Sequence, residues 1–235
     1  MLQEIFSLID VALEQKMRTQ CKADHIDLDQ YYTHYCEGRL TLPKLAPYRR
    51  NLPERLVTFT EARALYNKGE KPDGCIYHYI DDKRFQCVYR NPAEYLPMYK
   101  ACGKTIGPDF SLYITSPESE KRLNVFRNHL LSLIWQHYGI EVIPNVSWAE
   151  PFSFEYCFNP YPSQSVVAIN SMGCRAVPVS GYFWEKGFLK ALERLEPTAI
   201  IRYGPRMVME EEGISRFYQN PHLTRMRTHK SCEGD

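Results

Sequence analysis

Phe110-Ser111-Leu112-Tyr113-Ile114, an amphipathic run opened by Ser116-Pro117 and closed by Gly139, and then Ile140-Glu141-Val142-Ile143-Pro144-Asn145-Val146 together decide the fold. The outer pieces are short and rich in β-branched and aromatic residues, as strands are. Between them Leu123, Phe126, Leu130, Leu133, Ile134 and Tyr138 recur at helical spacing. Ser116 reads as an N-cap with Pro117 at the first helical position, and Gly139 stands where a helix ends in left-handed backbone. Strand, helix and strand in close succession form a β-α-β unit, whose strands lie parallel.

The same rhythm extends in both directions. Upstream, Leu56–Thr60 and Cys75–Ile80 read as strands, with helices over Glu61–Tyr66 and around Glu94–Lys100. Downstream, Ser165–Asn170 reads as a strand covered on both faces, followed by a helix from Phe183 to Leu195 and a strand over Thr198–Tyr203. In that helix Phe183, Phe188, Leu192 and Leu195 are expected to face the core, and Pro197 stops it. Six strand candidates separated by helices predict an α/β core over residues 56–204. With consecutive connections and no Gly-rich fingerprint, a barrel-like or incomplete TIM-type arrangement is expected, an open doubly wound sheet being the alternative.

Residues 1–55 are expected to hold an N-terminal helix, with Leu2, Ile5, Phe6, Ile9 and Leu13 on one face, and an irregular arm containing Pro43, Pro47 and Pro53. Such a stripe suits packing on the core or an oligomer formed through this helix. Residues 205–235 form a basic extension with Arg225, Arg227, His229 and Lys230, read as a solvated tail.

Composition narrows the function classes. The chain has 235 residues and a formal net charge of +1, so no net field draws it to nucleic acid or an anionic membrane. No apolar run reaches the length of a membrane span, and no basic segment precedes an export signal, so a cytoplasmic location is expected. The eight Cys are read as free thiols. Cys21, His25, His34 and Cys36 are zinc-ligand types, but their spacing lacks the paired ligands of a structural zinc module. Phosphate-binding loop, dinucleotide, His-Glu-x-x-His and Cys-x-x-Cys signatures are absent.

In parallel α/β folds, ligands bind beyond the carboxyl ends of the strands. The residues just past each predicted strand are polar: Asp81 and Asp82, then Glu118, Asn145, Ser147 and Trp148, Asn170 with Cys174 nearby, and Tyr203. Asp81, Asp82 and Glu118 are the catalytic candidates. Asn145, Ser147, Trp148, Asn170, Tyr203 and Arg127, the last placed to compensate a carboxylate, are the ligand-binding candidates. Carboxylates facing amides can hold a divalent cation such as magnesium through hard oxygen ligands, or do acid–base work. Asp81-Asp82 can equally be a helix start, and Ser116 a cap. Asp109 precedes its predicted strand and is read as structural; none of the seven His falls at a predicted strand end.

Ile80-Asp81-Asp82, Pro108-Asp109-Phe110-Ser111-Leu112-Tyr113, Asn124-Val125-Phe126-Arg127-Asn128 and Val142-Ile143-Pro144-Asn145-Val146-Ser147-Trp148 carry a resemblance. With Trp135-Gln136, Gly139-Ile140, Ser153-Phe154, Cys157-Phe158 and Val167-Ala168-Ile169, the run from Asn51 to Gly204 resembles an uncharacterised family of bacterial, phage and mobile-element proteins, domain of unknown function forty-four-seventeen. The resemblance implies a phage or mobile-element setting and no established activity. Asn145 stands where the family commonly has Thr. Two functions remain open: a small hydrolase or phosphodiester-processing enzyme working at the polar rim, or a non-catalytic binder of a host protein or nucleic acid.

Overall fold

The computed structural model describes residues 36–37, 42–174, 177–207 and 214–218. The N-terminal helix, most of the Cys/His cluster and the basic tail lie outside them. Two short strands, β1 (Cys36–Glu37) and β2 (Leu42–Pro43), pair antiparallel. The core then alternates: β3 (Leu56–Thr58), α1 (Phe59–Asn67), β4 (Cys75–Tyr77), α2 (Gln86–Arg90), α3 (Pro92–Cys102), β5 (Lys104–Ile106), α4 (Glu118–His137), β6 (Glu141–Ile143), α5 (Phe154–Cys157), β7 (Val166–Asn170), α6 (Pro178–Leu195), β8 (Ala199–Tyr203) and β9 (Ser215–Tyr218). The transition from β3 to α1 is made by Thr58, whose hydroxyl accepts from the Glu61 backbone N–H while the Glu61 carboxylate accepts from the Thr58 N–H, a reciprocal capping box.

Strands β3-β4-β5-β6 form one parallel ladder and β7-β8-β9 another. Past β6, Asn145 bridges to Ala168; the Val146 N–H donates to Ala168 O and the Ala168 N–H to Pro144 O, both at 2.8 Å, so the ladders join at the β6–β7 seam. The spatial order of the seven strands is therefore their order in sequence. A flat sheet would hold β4 and β8, four strands apart, about 19 Å from one another. Yet the rings of Tyr77 and Tyr203 on these strands have centroids 4.9 Å apart and hydroxyls 3.0 Å apart. The sheet therefore curls. Tyr218 on β9 reaches the far margin and donates to Pro53 O, although no β9–β3 ladder joins the two edges among the described residues.

Strand alternation sorts side chains between two layers. Cys75, Tyr77, Ile106, Ile143, Val166, Ala168, Ile201 and Tyr203 pack inside the curl. Their neighbours Val57, Ile76 and Val142 face outward to α1, α3 and α4, and Val167, Ile169 and Ile200 face α6 and the other flank of α4. The parallel α/β class expected from sequence is the class observed.

The elements correct several local readings. Residues 110–114 form a loop, and β5 lies earlier, at Lys104–Ile106, because Gly107-Pro108 ends it. The long helix starts one position later, with Pro117 as its N-cap, and Leu123 is exposed on it. In α6, which begins five residues earlier at Pro178, Trp184 faces the core in place of Phe183, and Ala191 joins Phe188, Leu195 and the half-buried Leu192 there. Among the described residues no helix is long and apolar enough to cross a membrane.

Candidate functional site

The segment after β5, Gly107-Pro108-Asp109-Phe110-Ser111, is the pivot of the carboxyl rim. A Cβ on Gly107 would stand 2.8 Å from Ser132 Oγ and 3.2 Å from the Asn145 backbone N, so the chain passes here closer than any side chain permits. Asn124 and Asn128, one turn apart on α4, clamp the segment through its backbone. Asn128 accepts from the Phe110 N–H at 2.8 Å and donates to Phe110 O at 3.3 Å, while Asn124 donates to Ser111 O at 2.8 Å. From the β4 side, Asp82 accepts from the Ser111 N–H at 3.1 Å and from its hydroxyl at 2.9 Å. Phe110 is buried against Phe85.

These anchors hold Asp109 at the carboxyl end of β5, so its expected place ahead of that strand is corrected by the strand's true position. Its two oxygens each accept an amide N–H, from Asn145 at 2.9 Å and from Asn170 at 3.0 Å. Asn145 is oriented on every side: its Nδ2 also donates to Pro108 O, its Oδ1 accepts from the Tyr79 hydroxyl at 3.0 Å, and its backbone carbonyl accepts from the Tyr161 hydroxyl. Asn170 is fixed by the Met172 N–H, which donates to its Oδ1 at 2.9 Å. Burial lifts the Asp109 carboxyl to about 6, against the pull of the two amide donors and with a further push from the Asp82 carboxylate.

Asp109 opens on a cavity of about 460 Å³ that runs between the ends of β5, β6 and β7 and the start of α6. Trp148, Trp184 and Phe183 provide an aromatic wall, with Trp148 and Trp184 centroids 5.8 Å apart. The Trp148 ring is held by its Nε1, which donates to Phe183 O at 3.2 Å, and by Gly187, where a Cβ would fall 2.1 Å from that nitrogen. Ser111, Ser147, Asn170 and Cys174 add polar edges. Burial raises the Cys174 thiol to about 11, so it is protonated at neutral pH and a poor nucleophile.

The predicted residues divide. Ser147, Trp148 and Asn170 line the cavity; Asn145 stands behind Asp109; and Asp82 supports the same loop through Ser111. Asp81 is exposed and accepts from the Lys83 N–H at 2.9 Å, capping the 3₁₀ turn Asp82–Arg84. Glu118 is engaged with Arg122 at 2.8 Å and Lys121 at 3.9 Å on α4. Arg127 donates to Asn124 Oδ1 at 3.1 Å and lies over the Tyr89 ring. Burial raises the Asp82 carboxyl above its ordinary value, and the Arg127 charge opposes that rise. Tyr203 is inside the curl, its ring 4.8 Å from that of Tyr79.

His78 does follow β4 at its carboxyl end, contrary to the sequence reading, yet it faces outward and stacks on Trp135 at 5.4 Å. Asp109 was legible only through Gly107-Pro108 as a strand terminator. Among the described residues no group of three His, Cys, Asp or Glu side chains gathers closely enough to hold a metal ion. The amides at Asp109 present N–H donors to it, an arrangement that satisfies a carboxylate without a cation.

Fold and site define a parallel α/β protein with a cavity at the carboxyl ends of its central strands. The family profile described as a domain of unknown function, DUF4417, matches residues 34–221, and the chain belongs to that family. It is 33% identical over 191 residues to the Gene 1 protein of Mycobacterium phage D29, covering 78% of this chain and 70% of the phage protein. It is 36% identical over 134 residues to the Gene 1 protein of Mycobacterium phage L5, covering 57% of this chain and 58% of that one. No solved structure matches the chain.

Proposed function

We propose that this chain is a phage or mobile-element enzyme that acts on a small molecule, with Asp109 as its general acid–base. The observation that carries this reading is a carboxyl group lifted to about 6, gripped by two oriented amides and opening on a cavity of ligand size. Above pH 6 the carboxylate can take a proton from water attacking a bound substrate; below it, the acid can protonate a leaving group. A hydrolase suits this chemistry. Phosphodiester processing has less support, because no described cavity-lining side chain is Lys or Arg and no trio of metal ligands gathers among the described residues.

The test is turnover by the full chain of chromogenic ester, amide and N-glycoside substrates. Activity that rises with pH through about 6 and disappears in Asp109→Asn supports the enzyme; activity unchanged in that variant overturns it. A binder of a host protein is favoured by one observation, the exposed Tyr113, Val177 and Val179 lining the cavity. Ligand binding without any turnover would decide for it.

A further inference from the structure

The recognition edge of the cavity can be read from what Asp109 has left to offer. Each carboxylate oxygen has two lone-pair directions, and each oxygen of Asp109 already accepts one amide N–H. One acceptor direction per oxygen remains, and the carboxylate is held in place because Asn145 is itself locked by Tyr79 and Pro108, and Asn170 by the Met172 N–H. A rigid pair of acceptors selects a ligand edge with two adjacent N–H donors, which a carboxylate takes in a bidentate fork. Beside it, Trp148, Phe183 and Trp184 offer flat faces on which a planar ring stacks. The cavity, about 460 Å³, falls in the range of small-ligand sites.

We propose that the cavity binds a purine-type heterocycle through a guanine-like edge, a ring N–H beside an exocyclic amine, paired to Asp109 with the ring against Trp148. This deepens the acid–base reading and rests on it. The acceptor pair needs an ionised carboxylate, so binding weakens as Asp109 gains its proton.

The experiment is calorimetric titration of the full chain with guanosine and with inosine, which keeps the ring N–H and lacks the amine. A lost member of a bidentate pair should weaken inosine by about tenfold or more. Guanosine affinity should fall by about tenfold between pH 8 and pH 5, as the carboxyl with its value near 6 takes up a proton. Ser147→Trp, which fills the cavity and leaves Asp109 in place, should abolish binding even if Asp109→Asn fails to fold. Equal affinities for guanosine and inosine, no dependence on pH, or no binding of either would overturn the proposal. A ligand without this edge that binds wild type and not Asp109→Asn would also overturn it, while leaving the acid–base cavity intact; turnover independent of Asp109 would strike at the cavity reading instead.

Discussion

His78 and Asp109 stand just past the ends of neighbouring parallel strands, β4 and β5, and both are withdrawn from water, yet their surroundings have little in common. His78 points into the layer between sheet and helices, where Phe59, Phe85, Tyr99 and Trp135 surround its ring and the Tyr99 hydroxyl pairs with Nε2 at 2.7 Å. Burial pushes it down to about 3, so it is a neutral core residue. Asp109 has oriented amide donors and an opening onto the cavity, and remains ionisable near neutrality. Burial is common to both; access to a cavity and donor geometry set Asp109 apart from the packed His78. The side on which each residue falls is a matter of alternation: Tyr77 and Tyr79 face in, so His78 between them faces out.

The largest effect expected from probing this contrast is in the packed region. Trp135 is fully buried against His78 and Tyr99, its centroid 4.3 Å from the latter, and Trp135→Ala should cost about 3–5 kcal/mol in urea unfolding. A loss below about 1 kcal/mol would mean that this layer is loosely packed.

The pH dependences of the two regions should run in opposite directions. His78 is lowered from 6.5 to about 3, so its contribution to stability is present above pH 6.5 and is lost as pH falls from there towards 3. His129, also lowered to about 3, adds to that loss. Asp109 is raised from 3.8 to about 6, so its contribution is present below pH 3.8 and is lost as pH rises towards 6. Unfolding free energies of wild type minus those of Asp109→Asn should therefore decline across that window, by about 3 kcal/mol at most. A flat difference would show that the carboxyl is solvated in the fold. His78→Phe should keep the stack on Trp135 and reduce the acid sensitivity.

Two glycines of α6 sharpen the contrast between wall and surface. Gly187→Ala drives a Cβ into the Trp148 ring and should destabilise by about 1–3 kcal/mol while shifting tryptophan fluorescence. Gly181→Ala meets its nearest atom at 3.5 Å and should stabilise by up to about 1 kcal/mol through helix propensity. Equal effects at both would remove Trp148 as a rigid wall. The smallest change is expected inside the curl, where Tyr77→Phe removes the hydroxyl pair with Tyr203 and should cost about 0.5–1.5 kcal/mol, measured in a double-mutant cycle with Tyr203→Phe.

What the linear chain determined was whatever depends on local spacing. The period-2 and helical-period runs, the β-branched strand at Val166–Asn170 and the Gly139 terminator with its φ of +78° were enough for a parallel α/β core. They also placed Asn145, Ser147, Trp148 and Asn170 at strand ends. Only the tertiary structure decided which polar residues meet. Asp109 and Asn170 are 61 residues apart in sequence, and they touch because the ladders of β5, β6 and β7 run in register beside one another. Asp81 and Glu118, read as chemistry, found nearer partners in a turn and on their own helix. Asp109 was misplaced because Phe110–Ile114 has strand-like residue types that loop packing uses equally well: Phe110 is buried against Phe85, its backbone held by Asn128 rather than by a ladder. Residue type reports an affinity for the interior; which interior, and beside whom, depends on contacts between distant parts of the chain.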